Sequence, residues 1–261
     1  MGDPLALVNL RPEDVVLRLG TLLDAFVTFA EREAPEGFGC AVSDRFQGLA
    51  TELGGEGDGR SLRALFPNAG ALQSARLEYV GRLLGIADGD PEGDHGVTRL
   101  AATQARLLPA YHQMRVLCDL VGDGKGIPLV EAFVDEWMSA HTKADATLED
   151  PSRFWDSLEG EHDGTDEIAG RLHRGKILFR VERCLWADVL KPLGDPALAH
   201  AGTCYGDFAQ ISAIHPSFVL TRTMTLMQGD PYCDTCIHDT RHVDSIEHPS
   251  REVFDSLGTD G

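Results

Sequence analysis

The chain has 261 residues, 43% of them hydrophobic and 25% charged, with a formal net charge of -19. That length allows one large domain or two modest ones, each with a real core. The acidic balance, with no cluster of Lys and Arg, excludes nucleic acid as a partner and disfavours an anionic membrane surface, leaving a small-molecule ligand allowed.

Residues 12–33 read as a helix: Pro12 suits its first turn, Glu13 and Asp14 its positive end, and Val15, Leu19, Leu22, Leu23, Phe26 and Phe29 recur at helical spacing. Pro35-Glu36-Gly37 ends it, and the Gly-rich residues 54–59 read as a loop. Residues 72–87 form a second helix, closed by an acidic loop over 88–94. Residues 97–121 are a long helical pattern kinked at Pro109, with Tyr111 and His112 placed to line a pocket. Pro128 opens a further helix through Met138. The polar, turn-rich stretch 142–166 is the best domain boundary, giving a helical region over 1–150 and an α+β region over 151–261, or one continuous domain.

From Lys176 the pattern changes to alternation. Ile177, Phe179 and Val181 face one way and Leu178, Arg180 and Glu182 the other, a strand ending near Cys184. A short helix follows over 185–193. Asp195-Pro196 then pairs an N-cap with proline at the first helical position, starting a helix predicted to run to about Ala213 and to be broken by His215-Pro216. Residues 218–227, the turn Gly229-Asp230-Pro231 and residues 232–240 read as a hairpin, and the tail beyond Glu247 as a short helix. The fold class is α+β, a helical N-terminal half packed on a C-terminal antiparallel sheet with two helices.

No apolar run reaches the ~20 residues that span a bilayer. The N-terminus carries neither a basic region nor a signal-peptide core, so the chain reads as cytoplasmic. In that reducing setting its six cysteines read as free thiols. Four of them fall within residues 184–236, and thiols both oxidise and bind metals.

Two constellations follow. His200, Cys204 and Asp207 are spaced by four and three, one face of the predicted helix, where an imidazole can generate a thiolate and a carboxylate can reach a bound ligand; the other reading of Cys204 is a small buried apolar residue. Asp230, Cys233, Asp234, Cys236, His238 and His242 form the second. Cys233-x-x-Cys236-x-His238 has the look of a metal motif, but on a strand the two sulfurs face opposite ways and cannot share one ion. No metal and no cofactor is therefore assigned. Cys184, ending a strand, can project into a cleft or sit in the core, as Cys40 and Cys118 do on their helices.

Taken in order, Cys184-Leu185-Trp186-Ala187, the helix after Gly194-Asp195-Pro196, Cys204-x-x-Asp207, Arg222-Thr223-x-Thr225 and Gly229-Asp230-x-x-Cys233-Asp234 resemble the L-2-amino-thiazoline-4-carboxylic acid hydrolase family over residues 176–240. The resemblance implies ring-opening hydrolysis of a cyclic, amidine-like thiazoline to a carbamoyl cysteine, or a related biosynthetic reaction. Cys184, Cys204, Asp207, Asp230 and Cys233 match its motif positions. The family usually has an aromatic residue after Cys-Asp, where this chain has Thr235. Function is accordingly read as hydrolysis of a C–N bond in a small heterocyclic or amino-acid-derived substrate. Cys204, Asp207, Cys233 and Asp230 are the catalytic set, and Cys184, Trp186, His200 and Tyr232 bind substrate. A homodimer is allowed. The rivals are a ligand-binding or sensor module without turnover and a Cys/His metal-binding protein.

Overall fold

The structure, a computed structural model, describes residues 5–10, 12–34, 36–54, 62, 66, 69–85, 95–149, 151, 167–173 and 175–258. The chain divides into two compact units, Asp3–Val130 and Glu131–Gly261. The predicted Gly-rich and acidic loops and most of the turn-rich stretch lie outside the described residues. The fold is α+β. No helix among the described residues is long and apolar enough to cross a membrane.

The N-terminal unit holds β1 (Leu7–Leu10), α1 (Pro12–Glu33), α2 (Phe38–Leu53), α3 (Ala71–Leu84), β2 (His95–Thr98), α4 (Arg99–Val121) and the start of α5 (Asp123–His141). Strands β1 and β2 pair antiparallel. Helix α4 therefore begins two residues later than its apolar spacing suggests: Val97 belongs to the strand, and the Thr98 hydroxyl caps the helix through Ala101 N–H at 3.1 Å. Helix α5 starts at Asp123, before Pro128, because Gly122 in the left-handed region (φ 81°) turns the chain. A Cβ at Gly126 would stand 2.6 Å from Cys118 Sγ, so only glycine lets the two helices approach this closely.

Packing in this unit is apolar around Leu62, Leu77, Val80, Leu84, Val97 and Ala105. Two of its buried polar side chains are tied down by hydrogen bonds. Arg76 Nη1 donates to Asp24 at 2.8 Å, and Gln113 Nε2 donates to the Leu23 carbonyl at 2.7 Å. His112 is buried between the rings of Tyr79 and Tyr111, and burial, with Arg45 adding to it, lowers its pKa to about 4. Tyr111 and His112 are thus core residues of this unit rather than the lining of a pocket, since both are sealed from solvent by packing.

The C-terminal unit is built on β3 (Glu167–His173), β4 (Lys176–Arg183), β5 (Phe218–Arg222) and β6 (Cys233–Asp239), in the order β3-β4-β6-β5 with every neighbour antiparallel. Between β4 and β5 lie α6 (Leu185–Leu190), a 3-10 turn at Lys191–Leu193, α7 (Pro196–Gly202) and α8 (Gly206–Ile214). A 3-10 turn at Leu226–Gln228 connects β5 to β6, and α9 (Arg251–Asp255) follows the sheet.

Both faces of this sheet are covered. Ile177, Phe179, Phe218, Leu220 and Ile237 pack on Ile211 and Phe208 of α8. Leu178, Tyr232 and Cys236 pack on Phe254 and Leu257 from the C-terminal segment. Strand β6 is consequently buried along its whole length, polar residues included.

The helix predicted from Asp195 to Ala213 is two helices. Asp195 caps the first, accepting from Leu198 N–H at 3.2 Å, but the chain leaves helical geometry at Thr203 (φ -133°, ψ -79°) and re-enters at Gly206. A side chain at Gly206 would press on Met138 and Val134 at 3.1 and 3.2 Å. Close packing at that glycine fixes where the second helix starts.

Candidate active site

The break between α7 and α8 puts Cys204 in a connection rather than on a helix face. This corrects the expected stripe of His200, Cys204 and Asp207, which rested on unbroken helical spacing. The groups are nonetheless gathered, by a residue from the sheet. The side chain of Arg222, the last residue of β5, is 5% exposed, and its Nη2 donates to Asp207 Oδ2 at 2.5 Å. Its Nε donates to Thr235 Oγ1 at 3.0 Å, and its Nη1 reaches the Cys204 carbonyl at 3.5 Å. The guanidinium also lies 5.5 Å over the ring of Phe208. Register makes this possible, since Arg222 stands opposite Thr235 across the β5–β6 ladder.

Cys233 sits two residues before Thr235, on the same face of β6. Its sulfur accepts the Leu226 N–H at 3.2 Å, so the 3-10 turn is pinned to it. Helices α6 and α7 both pack against that turn. This brings the element begun at Cys184 and the helix carrying His200 to the same end of the sheet. Cys184 precedes α6 and Trp186 lies in its first turn, both half-buried.

Electrostatics tie the cluster together. Burial pushes the Cys204 thiol up to about 11, Asp207 adds to the rise, and Arg222 opposes it. Burial also raises the Cys233 thiol, against the Leu226 N–H and Arg222. For Arg222 burial disfavours the charge, but Asp207 and the two sulfurs outweigh it and the pKa rises. His200 is lowered by burial and by Arg222, with Asp207 opposing. Around pH 7 the resting state is therefore two protonated thiols, a neutral imidazole and a charged arginine. The Asp207 side chain remains 47% exposed, which leaves an opening from solvent onto the cluster.

Two expected members are placed elsewhere. Asp230 closes the turn, its Oδ2 accepting Thr225 N–H at 2.8 Å. Tyr232 lies on the opposite face of the sheet, its hydroxyl donating to Asp255 Oδ1 at 2.8 Å with Arg180 4.3 Å over its ring. Alternation along β6 puts it there. Cys236 shares that far face, so Cys233 and Cys236 point apart as the strand reading requires. Among the described residues no group of three His, Cys, Asp or Glu is arranged to hold a metal ion.

Residues 130–237 match the L-2-amino-thiazoline-4-carboxylic acid hydrolase family model. The matched stretch begins where the C-terminal unit begins and ends inside β6, so it contains Cys204, Asp207, Arg222 and Cys233 together. No curated protein and no solved structure matches the chain.

Arg222 was within the recognised sequence motifs but was assigned no role. A signal was present: it is the one charge in the apolar strand Phe218-Val219-Leu220-Thr221-Arg222, in a chain with nearly two acidic residues for each basic one. A buried arginine needs a carboxylate, and Asp207 supplies it. A groove of about 560 Å³ is lined by Asp135, Ser139, Thr142, Phe208 and Ser212, and neither Cys204 nor Cys233 is among its lining residues.

Proposed function

We propose that this chain is a hydrolase-like enzyme that opens a C–N bond in a small heterocyclic or amino-acid-derived substrate, of the cyclic amidine type that the family description names. The observation that carries the reading is the gathering of Cys204, Cys233 and Asp207 about the buried Arg222 guanidinium. Arg222 favours negative charge at sulfur, and a carboxylate open to solvent sits beside it.

Because the resting thiol is protonated, attack needs a base, and the neutral His200 ring is the suitable one. The Cys204 S–H proton passes to His200 as the sulfur–carbon bond forms at the amidine carbon. The displaced electron pair goes to the substrate nitrogen, which takes that proton from His200. Collapse of the adduct breaks the ring C–N bond as the remaining nitrogen re-forms a C=N bond, its N–H proton passing through His200 to the leaving nitrogen. Water then adds to the thioimidate carbon and releases Cys204 as thiol. Asp207 orients Arg222 and the incoming water. Asp230, committed to its turn, takes no part, and Cys233 stands near the attacking sulfur.

One observation favours the rival reading as a binding module: both thiols are held in their unreactive form. A turnover assay separates the two. The protein is incubated with 2-amino-thiazoline-4-carboxylate and with oxygen and nitrogen analogues of the ring, and ring-opened product is followed by NMR. Many product equivalents per protein are expected for at least one ring. Saturable binding with no product would favour the module.

A further inference from the structure

Arg222 is gripped on both sides by groups from the opposite face of the sheet. Before it, the Thr221 hydroxyl is 2.8 Å from His248 Nδ1 and 2.8 Å from His238 Nε2. After it, the Thr223 and Met224 N–H groups donate to Asp234 Oδ1 at 2.8 and 2.7 Å, and the Thr223 hydroxyl donates to Asp234 Oδ2. His248 Nε2 joins the two halves, lying 3.1 Å from Asp234 Oδ2, and its ring stacks on Phe254 at 5.2 Å. For a neutral His248 ring the proton order is fixed: Nε2–H donates to the Asp234 carboxylate, so Nδ1 accepts from the Thr221 hydroxyl. That hydroxyl in turn accepts from His238 Nε2–H.

We propose that Asp234 and His248 are positioning residues for Arg222, clamping the backbone on either side of it so that the guanidinium stays between Asp207, Thr235 and the Cys204 carbonyl. The inference rests on reading the Arg222 cluster as the reactive site. Adjacent residues of β6 share the work: Asp234 holds the chain and Thr235 holds the side chain it presents. His248 lies beyond residue 237, where the family match ends, so the match assigns it nothing. Other polar groups on this face are His238, Lys176 opposite it on β4, Arg180 opposite Asp234, and Cys236 opposite Thr221.

The test uses the full chain and reads the rate of Cys204 alkylation by iodoacetamide as a function of pH, by peptide mapping, with thermal unfolding in parallel. Arg222 lowers the Cys204 pKa, so a displaced guanidinium moves the reactivity profile upward. His248→Ala is expected to slow alkylation at pH 8 about threefold and Asp234→Asn about tenfold. His248→Gln, whose amide can donate to Asp234, is expected to restore the wild-type profile, which a loss of general stability would not explain. Arg222→Ala sets the scale with the largest shift. A shift in Arg222→Ala but none in folded His248→Ala and Asp234→Asn would overturn the clamp and leave the site standing. No shift in Arg222→Ala would overturn both. If Asp234→Asn does not fold, His248→Ala against His248→Gln decides, and equal slowing in the two contradicts the clamp.

Discussion

Cys204→Ser is expected to lower ring opening at least ~10³-fold while leaving substrate affinity within a few fold. A serine hydroxyl is a far weaker nucleophile than a thiol at this position, because burial raises the pKa of either and the Arg222 charge recovers only part of it. Arg222→Ala is expected to cost a similar factor for another reason. It removes the cation that offsets charge on sulfur and leaves the Asp207 carboxylate, now unpaired, to repel that charge. Asp207→Asn keeps the shape of the pair and removes its charge, so about a tenfold loss is expected. Steady-state kinetics on the three variants check the order. Full turnover in Cys204→Ser with none in Asp207→Asn would instead favour direct attack by water activated at the carboxylate.

The largest effect on stability is expected at Asp234. Its carboxylate is 2% exposed and accepts from Thr223, Met224 and His248, and these bonds outweigh burial and hold its pKa down at about 2. Asp234→Ala strips those donors of their acceptor inside the sheet, a loss of about 4 kcal/mol by the usual cost of buried unsatisfied groups. Denaturant midpoints measure it. The pH dependence has a definite sign. A depressed carboxylate contributes stability above its unfolded value near 3.8, and loses it as pH falls through about 2. The shift corresponds to roughly 2 kcal/mol. His238, lowered to about 4 first by burial and then by Lys176 and His248, adds an earlier step. Its unfolded form binds a proton below about 6.5, so stability falls from there down to about 4. Asp234→Ala should abolish the lower step and keep the upper one.

Much of the fold was legible because local signals agreed with tertiary ones. The spacing of Leu19, Leu22, Leu23, Phe26 and Phe29 gave α1, the alternation of residues 177–182 gave β4, and Asp195-Pro196 gave the start of α7. The hairpin of β5 and β6 followed from the turn at 229–231. The misses have physical causes. Four-residue strands such as β1 and β2 are too short to show a period, and Val97 fits a helix pattern equally well. The break at Thr203 comes from close packing at Gly206 against Met138 and Val134, which spacing within 195–213 does not contain. Helix α5 hides its first turn behind Gly124 and Gly126, poor helix formers, of which Gly126 is kept for its close approach to Cys118.

The same division applies to the cluster. Cys204, Asp207 and Cys233 were singled out by residue type and motif order. Arg222 as their centre depends on cross-strand register, which requires knowing that β5 pairs with β6. Asp230 and Tyr232 carried equal chemical promise, but turn closure and strand alternation direct them away. The roles of Asp234 and His248 depend on a contact between a strand and a distant tail, which no local pattern announces.

The most direct measurement is site-resolved thiol labelling in the presence of a cyclic amidine ligand. Stoichiometric iodoacetamide modification is mapped at all six cysteines with and without saturating 2-amino-thiazoline-4-carboxylate. Selective protection of Cys204 and Cys233, with Cys236 and Cys118 unlabelled in both states and Cys40 labelled in both, is the predicted pattern. Labelling of Cys204 that ignores every ring tested, or protection confined to Cys236 on the far face of the sheet, would contradict an active site around Arg222.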